Sequence, residues 1–245
     1  MDLQQLSIAA LLALVAYIVK GFTGFGAGIV VVPLLSLFLD LKVVVFAACV
    51  CAGTNGIVLA RTEWRNAAWR AIVWIGVAAL AGLGFGTYAL VSLKTEALRK
   101  SFGALVCVFA LVMLLEKSSD EGPPPKPWPE WLAPVSGFVG GALLGLFGAG
   151  GPAMVIYLTR RLPSKVVLRA SIIMLFLCID AARLGAYLTA GMLTHESARL
   201  ACWTLPAALL GSSAGTKAQN RVNRQVFRRI VAAVLFATGL LLAGR

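Results

Sequence analysis

The sequence predicts an all-α polytopic membrane protein made of two repeats, each with about four transmembrane crossings. Two observations lead to this fold class. Of the 245 residues, 60% are hydrophobic and only 13% are charged, whereas soluble domains carry about 25% charged residues. In addition, a glycine-rich break interrupts an apolar run twice, at 21–28 and at 145–152. We therefore expect each repeat to begin with a broken helix or a re-entrant segment.

The two breaks read GFTGFGAG and GLFGAGGP, and their glycines match at a spacing of 124 positions. So many glycines do not form an ordinary helix, because each costs about 1 kcal/mol relative to alanine. In lipid, unwound backbone is tolerated only where protein buries it or where it lines a wet cavity. Broken apolar segments at corresponding positions of two halves indicate the central site of a transporter.

Ten apolar segments follow one another along the chain. In the first half they span 5–20, 27–39, 43–60, 69–92 and 98–115; in the second half they span 131–147, 152–159, 166–190, 199–216 and 226–243. The proline-rich stretch 116–130 is predicted to be a stiff, extended linker. It separates an N-terminal transmembrane repeat, 1–115, from a C-terminal transmembrane repeat, 131–245.

Residue identities indicate an internal duplication, which has to be sought before a fold is assigned. Segment 70–87 recurs at 199–216 with an offset of 129, and eight of its positions are identical. The matched pairs are Arg70 and Arg199, Trp74 and Trp203, Ala78 and Ala207, Ala79 and Ala208, Leu80 and Leu209, Gly82 and Gly211, Gly86 and Gly215, and Thr87 and Thr216.

The loop charges predict a topology. If each break lies within one discontinuous crossing, the chain crosses eight times, both termini lie outside, and the halves run in the same direction. That arrangement puts Arg169 inside and Glu63 outside. It sorts the basic residues to the cytoplasmic side, as the positive-inside rule requires, and the rule accounts for the net charge of +12 without a nucleic-acid partner. Re-entrant segments, or five crossings per half with inverted repeats, remain open.

The breaks are also the first candidates for a substrate site. A helix that restarts after a break presents free N–H groups and the positive end of its dipole, which suits an anion. Pro152 fits the first turn of such a restart. The alternative is a kink that serves close packing. The candidate substrate-binding residues at the breaks are Gly24, Phe25 and Gly26 in the first and Gly148, Ala149, Gly150 and Gly151 in the second.

Five polar residues inside or at the edge of apolar segments are further candidates, because such residues are costly in a bilayer. Asp180 and Arg183 share a helix face at a spacing of three; they either neutralise each other or serve substrate binding, with Asp180 the candidate for coupling. Lys20 offers charge to an anion or reaches the membrane surface. Thr54 and Asn55 hydrogen-bond a substrate or join helices.

Motifs for catalysis and for metal binding are missing from the sequence. The five cysteines lie in apolar segments without metal-ligand spacing, and His195 is the single histidine. We therefore predict neither a metal site nor a cofactor, and we expect a protein that is not an enzyme. An intramembrane enzyme and a non-transporting membrane scaffold stay open as alternatives.

The GFTGFGAG stretch with Pro33 after it, the echo at Gly148–Pro152 and the two four-crossing halves resemble the TauE/SafE sulfite exporter family, also called TSUP permeases. The resemblance implies a multi-pass carrier in the bacterial inner membrane. Its implied cargo is a small sulfur-containing anion, such as sulfite or an organosulfonate like sulfoacetate. We expect alternating access around the two breaks, with the anion and the lipid bilayer as partners and a homodimer as an open possibility.

Overall fold

The computed structural model describes residues 2–115, 128–162, 164–218 and 235–241. The regular structure in these ranges is helical. The helices are α1 (Leu3–Thr23), α2 (Ala27–Ser36), α3 (Leu41–Glu63), α4 (Trp69–Ser92), α5 (Thr95–Leu115), α6 (Leu132–Phe147), α7 (Gly151–Arg161), α8 (Lys165–Thr189) and α9 (His195–Ala218), with one 3-10 turn at Trp64–Asn66. The greater part of the predicted linker 116–130 and of segment 226–243 lies outside the described residues.

The helices have the length and surface of membrane spans. Within the described ranges, three helical segments are long and apolar enough to cross a bilayer: Leu3–Gly21, Leu41–Asn66 and Trp69–Ser92. Large apolar side chains lie on the outside of the bundle, where Trp74 is 70% exposed and Leu210 is 67% exposed. Because an apolar surface of this kind suits lipid and not water, the prediction of an all-α membrane protein is confirmed.

Both predicted breaks interrupt a helix. Gly24 ends α1 with φ at 83°, and its N–H donates to the Lys20 carbonyl at 2.7 Å. Gly26 precedes α2 with φ at 92°. In the second half, Gly148 ends α6 with φ at 68°, and Pro152 lies in the first turn of α7. Only glycine adopts a positive φ without strain, which explains why glycine occupies these positions.

After the first break the chain turns back. Tyr17 donates to the Ala48 carbonyl at 3.2 Å and Lys20 to the Ala52 carbonyl at 2.9 Å, so α1 and α3 run in the same direction. They begin at the same end of the bundle, which we call the Asp40 end after the N-cap residue of α3. Since α2 leads directly into α3, it returns to the end at which α1 began. Helices α1 and α2 therefore form a re-entrant hairpin.

The second break also reverses the chain. Glu130, just before α6, forms an ion pair with Arg161, the last residue of α7. The start of α6 and the end of α7 therefore lie at one end of the bundle. We call it the Glu63 end, because α3 ends there. Helices α6 and α7 thus form a second hairpin, which enters from the side opposite to the first.

The pairing of α3 with α8 corrects the predicted topology. Glu63 forms an ion pair with Arg169 at 3.0 Å, and Cys49, nearer the start of α3, donates to the Asp180 carbonyl at 3.7 Å. Helices α3 and α8 are therefore antiparallel. The expectation that Glu63 and Arg169 lie on opposite sides, in halves of equal orientation, is wrong. The physical reason is that the second break turns the chain back instead of completing a crossing, which removes one crossing between α3 and α8.

Glycines hold each hairpin against a helix of the other half. Helix α1 packs along α9, and α6 packs along α4. A Cβ added at Gly82 in α4 would collide with the carbonyl oxygen of Phe138 in α6, and one added at Gly211 in α9 would collide with that of Leu14 in α1. Small residues permit this close approach of helices in lipid, so Gly82 and Gly211 are packing positions.

Candidate functional site

The two breaks meet at the centre of the bundle. A Cβ added at Gly28 would collide with the carbonyl oxygen of Gly148, so no side chain separates the hairpins there. Beside this contact lies a hollow of about 50 Å³. A water molecule needs about 10–15 Å³ on this measure, so the hollow has room for a few water-sized groups or one compact oxyanion.

The first residues of two helices, one from each hairpin, line this hollow. Ala27, Gly28 and Ile29, the first residues of α2, line it, and so does Gly151, the first residue of α7. The first N–H groups of a helix have no partner within that helix. Two helix N-termini therefore present hydrogen-bond donors to one small volume, as the sequence predicts for an anion site.

Arg183 supplies a buried cation with spare donors. Its side chain is 2% exposed, and its Nη2 lies 3.1 Å from Oδ1 of Asp180. Among the described residues, its Nε and Nη1 have no hydrogen-bond partner. Nη1 would lie 3.6 Å from a Cβ added at Gly148, so the guanidinium faces the second break. The predicted pairing of Asp180 with Arg183 is confirmed, and the pairing leaves part of the guanidinium available to a ligand.

Lys20 brings a second cation from the first hairpin. It is 6% exposed, its Nζ donates to the Ala52 carbonyl at 2.9 Å, and it lies 5.7 Å from the centre of the Tyr17 ring. The side chain therefore stays in the middle of the bundle and does not extend to the membrane surface. An ammonium group has three donors, so the bond to Ala52 leaves others for a ligand.

The hollow has an excess of positive charge. Among the described residues that line it, Lys20 and Arg183 are basic and Asp180 is acidic. A buried charge without a partner is costly. A negatively charged ligand would remove the imbalance, so the electrostatics favour an anion over a cation or a neutral solute.

Most of the predicted site residues come together here. Nine of them line the hollow: Lys20, Gly24, Phe25, Gly26, Gly148, Ala149, Gly151, Asp180 and Arg183. The other three do not. Thr54 donates to the Val50 carbonyl at 2.9 Å, Asn55 donates to that of Cys51 at 3.0 Å, and Gly150 packs against the Gly140 carbonyl. Thr54 and Asn55 thus satisfy their polar groups within their own helix.

One aromatic residue of the site is missing from the sequence-based candidates. Phe176 lines the hollow and stacks on Phe25, with ring centres 6.4 Å apart and planes at 10°. The pair forms an apolar wall that joins the first hairpin to α8. Phe176 precedes Asp180 by four residues, and residues at that spacing share a helix face. Phe176 could have been identified from the sequence by this spacing.

Three other aromatic residues lie away from the hollow. Trp74 and Trp203 are 70% and 44% exposed on the outside of the bundle. Phe147 is buried and stacks on Phe102 of α5, with ring centres 4.7 Å apart. None of these three lines the hollow.

Comparison with known proteins gives one match. The family model described as sulfite exporter TauE/SafE matches residues 9–242, nearly the whole chain. A search of the curated proteins and a search of the solved structures found no match. Because the match spans both hairpins and the hollow between them, the chain belongs to the sulfite exporter TauE/SafE family.

Proposed function

We propose that the protein is a secondary transporter that carries a small oxyanion, sulfite in the first place, across the bacterial inner membrane by alternating access. The observation that supports this most directly is the position of Arg183. Its Nε and Nη1, which have no hydrogen-bond partner in the part of the chain that the structure describes, are buried beside the point where two helix N-termini converge. Charge-assisted hydrogen bonds from a guanidinium to an oxyanion are among the strongest polar contacts in proteins.

The size of the hollow supports sulfite over larger sulfonates. At about 50 Å³, it has room for a sulfur centre with its oxygens. Sulfoacetate adds a methylene group and a carboxylate, so it requires the hairpins to move apart or a more open state of the protein. Both anions present sulfur-bound oxygens to the amide and guanidinium donors, so size and not oxygen chemistry separates them at this hollow.

The two hairpins supply the moving parts. One helix of each packs closely along a helix of the other half: α1 along α9, and α6 along α4. Rocking of one hairpin against the α3–α8 pair opens the hollow to one side, and the reverse movement opens it to the other. The ion pair of Glu63 with Arg169 lies on the route to the Glu63 end, because the Cγ of Arg169 lies 3.6 Å from a Cβ added at Gly24.

The ends of the bundle differ in charge, which suggests an orientation. Among the side chains that the structure describes, the Glu63 end carries seven basic groups against two acidic ones, and the Asp40 end carries four against four. The Glu63 end has Arg61, Arg65, Arg70, Arg160, Arg161, Arg169 and Lys217 with Glu63 and Glu130; the Asp40 end has Lys42, Lys94, Lys100 and Arg199 with Asp2, Asp40, Glu96 and Glu196. By the positive-inside rule the Glu63 end is cytoplasmic, which puts the N-terminus outside.

Flux measurements test the proposal. Liposomes that contain the purified protein are loaded with radiolabelled sulfite. They are then diluted into sulfite-free buffer, which creates an anion gradient, and the loss of label from the liposomes is followed. We expect flux in the native protein, a loss of at least about tenfold in Arg183→Gln, and native flux in Arg70→Gln. Arg70 is an exposed arginine at the Glu63 end, so it controls for loss of a positive charge.

Two results would count against the proposal. One is the absence of flux for every small anion tried, with a protein that elutes as a folded, monodisperse species. The other is undiminished flux in Arg183→Gln, which would remove the guanidinium from the substrate site.

A further inference from the structure

We infer that the hollow selects its cargo by charge and binds the singly charged form of an oxyanion in preference to the doubly charged form. For sulfite, the bound species is then hydrogensulfite. This inference rests on the proposed transport function and names the chemical class of substrate for the same site.

The argument begins with the groups that face the hollow and its immediate surroundings. They come from three helices. The titratable and charged side chains are Tyr17 and Lys20 on α1, Cys49, Cys51 and Glu63 on α3, and Arg169, Asp180, Arg183 and Tyr187 on α8. Glu63 and Arg169 form an ion pair, so together they add no net charge. Any count of charge at this site has to assign each of these groups.

Hydrogen bonding assigns the hydroxyls and thiols. Tyr17 donates to the Ala48 carbonyl at 3.2 Å, Tyr187 to the Gly145 carbonyl at 2.8 Å, and Cys49 to the Asp180 carbonyl at 3.7 Å. A group that donates to a carbonyl oxygen retains its proton, so these three are neutral. The Cys51 thiol lies 3.4 Å from the Thr204 hydroxyl. Because that hydroxyl is neutral, the contact does not favour a thiolate, and we count Cys51 as neutral.

The helix dipoles do not alter the count. The positive N-terminus of α2 follows the negative C-terminus of α1 across Gly24 and Gly26, and the N-terminus of α7 follows the C-terminus of α6 across Gly148. Each terminus carries about half a unit charge, so the two partial charges at each break offset one another. The N–H groups therefore supply hydrogen-bond donors without a net charge.

What remains is Lys20, Arg183 and Asp180, a sum of one positive charge among the described residues around the hollow. A monovalent anion neutralises this sum, whereas a divalent anion leaves one uncompensated negative charge. Electrostatic energies are much larger in a buried site than in water. A single unit of residual charge is therefore enough to separate the two ionic forms.

Chlorate and sulfate are suitable probes. Chlorate has the same pyramidal shape as sulfite and stays monovalent at neutral pH, and sulfate stays divalent. In liposomes that carry the full-length protein, we expect chlorate to compete with labelled sulfite at least about tenfold better than sulfate does. We also expect sulfite flux to rise as the pH falls, because hydrogensulfite then replaces sulfite.

Two substitutions change the charge of the hollow in opposite directions. Lys20→Met makes it neutral, so the affinities for chlorate and for labelled sulfite should both fall by at least about tenfold. Asp180→Asn adds a positive unit, and sulfate should become a competitor. Lys94→Met, at an exposed position of the Asp40 end, should retain the native preference. If Asp180→Asn does not fold, Lys20→Met alone still decides, because the charge inference requires its affinity for chlorate to fall.

The outcomes separate the two proposals. Sulfite flux that sulfate inhibits and chlorate does not would overturn the charge inference and keep the transporter. An undiminished affinity for chlorate in Lys20→Met would also overturn it. Absence of any anion flux in the native protein would instead remove the transport function itself.

Discussion

Breaking the ion pair of Asp180 with Arg183 should destabilise the protein strongly. Both side chains are at least nine-tenths buried, at 6% and 2% exposure, and their closest atoms are 3.1 Å apart. Asp180→Asn leaves Arg183 and Lys20 around one hollow without a counter-charge. Arg183→Gln leaves Asp180 with Lys20 in the same hollow, a neutral sum. We therefore expect the loss of the carboxylate to cost more than the loss of the guanidinium.

The magnitude follows from the burial. Removing one partner of a buried ion pair costs about 3–5 kcal/mol, because an uncompensated charge remains. For a chain of this length, 1 kcal/mol changes the melting temperature by about 2–4 °C. Asp180→Asn should then lower it by about 6–20 °C. The double variant, Asp180→Asn with Arg183→Gln, should recover a large part of this loss, because the two sites interact directly.

Thermal unfolding of the detergent-solubilised protein is the assay, and the chain contains a matched control. Glu96 and Lys100 form an ion pair at 2.7 Å, with side chains 73% and 55% exposed. The Lys100 ammonium beside Glu96 holds the pKa of that carboxyl below its usual value. Exposed pairs contribute about 0–1 kcal/mol, so Glu96→Gln should barely change the melting temperature. Sulfite added to Asp180→Asn should restore part of its stability, since a bound ligand stabilises the folded state.

The reasoning fails if Asp180→Asn melts within about 3 °C of the native protein, since that equals about 1 kcal/mol at this chain length. Such a result would mean that water or lipid headgroups reach the pair and screen it. It also fails if the double variant is as unstable as the sum of the single variants, because the two side chains would then act independently.

Two further predictions follow from packing and topology. Gly82→Ala should destabilise the protein by about 1–3 kcal/mol in thermal unfolding, because its Cβ meets the backbone of α6, whereas Gly84→Ala, which faces open space, should be neutral or slightly stabilising. In a cysteine-free background, a short thiol crosslinker should join Glu63→Cys to Arg169→Cys. After cleavage of the 116–130 linker, the two halves should then still migrate together in a denaturing gel. The pair Lys94→Cys with Arg169→Cys should not be joined. A crosslink in the second pair alone would restore the parallel arrangement of the halves.

The breaks and most of the site were predictable from the sequence because their signals are local. Glycines cluster twice at matching positions, and positive φ angles at Gly24, Gly26 and Gly148 explain why no other residue type serves there. Charged residues at membrane depth are rare, so Lys20, Asp180 and Arg183 stand out without any structure. All six line the hollow.

The direction of the chain after each break was not predictable in this way. A glycine break does not reveal whether the following helix continues or returns, because partners far along the sequence decide this. Helix α8 supplies Arg169 to Glu63, and α9 holds α1 in place. The count of basic loop residues depends on the number of crossings, so one error in the hairpins moved whole loops to the wrong side.

Thr54 and Asn55 show a second limit. Both are polar residues in the middle of an apolar helix, which favours a functional role. Each nevertheless donates to a carbonyl of its own helix, four residues back. A polar group that its own backbone satisfies needs no ligand, and only the side-chain geometry distinguishes the two cases.

The packing of α1 against α9 has a consequence for biosynthesis. Gly21 accepts a hydrogen bond from Thr216, 195 residues further along the chain. At a synthesis rate of about 5–20 residues per second, the first hairpin waits about 10–40 s for its partner helix. During that interval its unwound backbone lies in the bilayer without the protein surface that later covers it. Newly made chains should therefore depend on the insertion machinery to shield this hairpin, and ribosome-bound intermediates that lack α9 should be targets of membrane proteases.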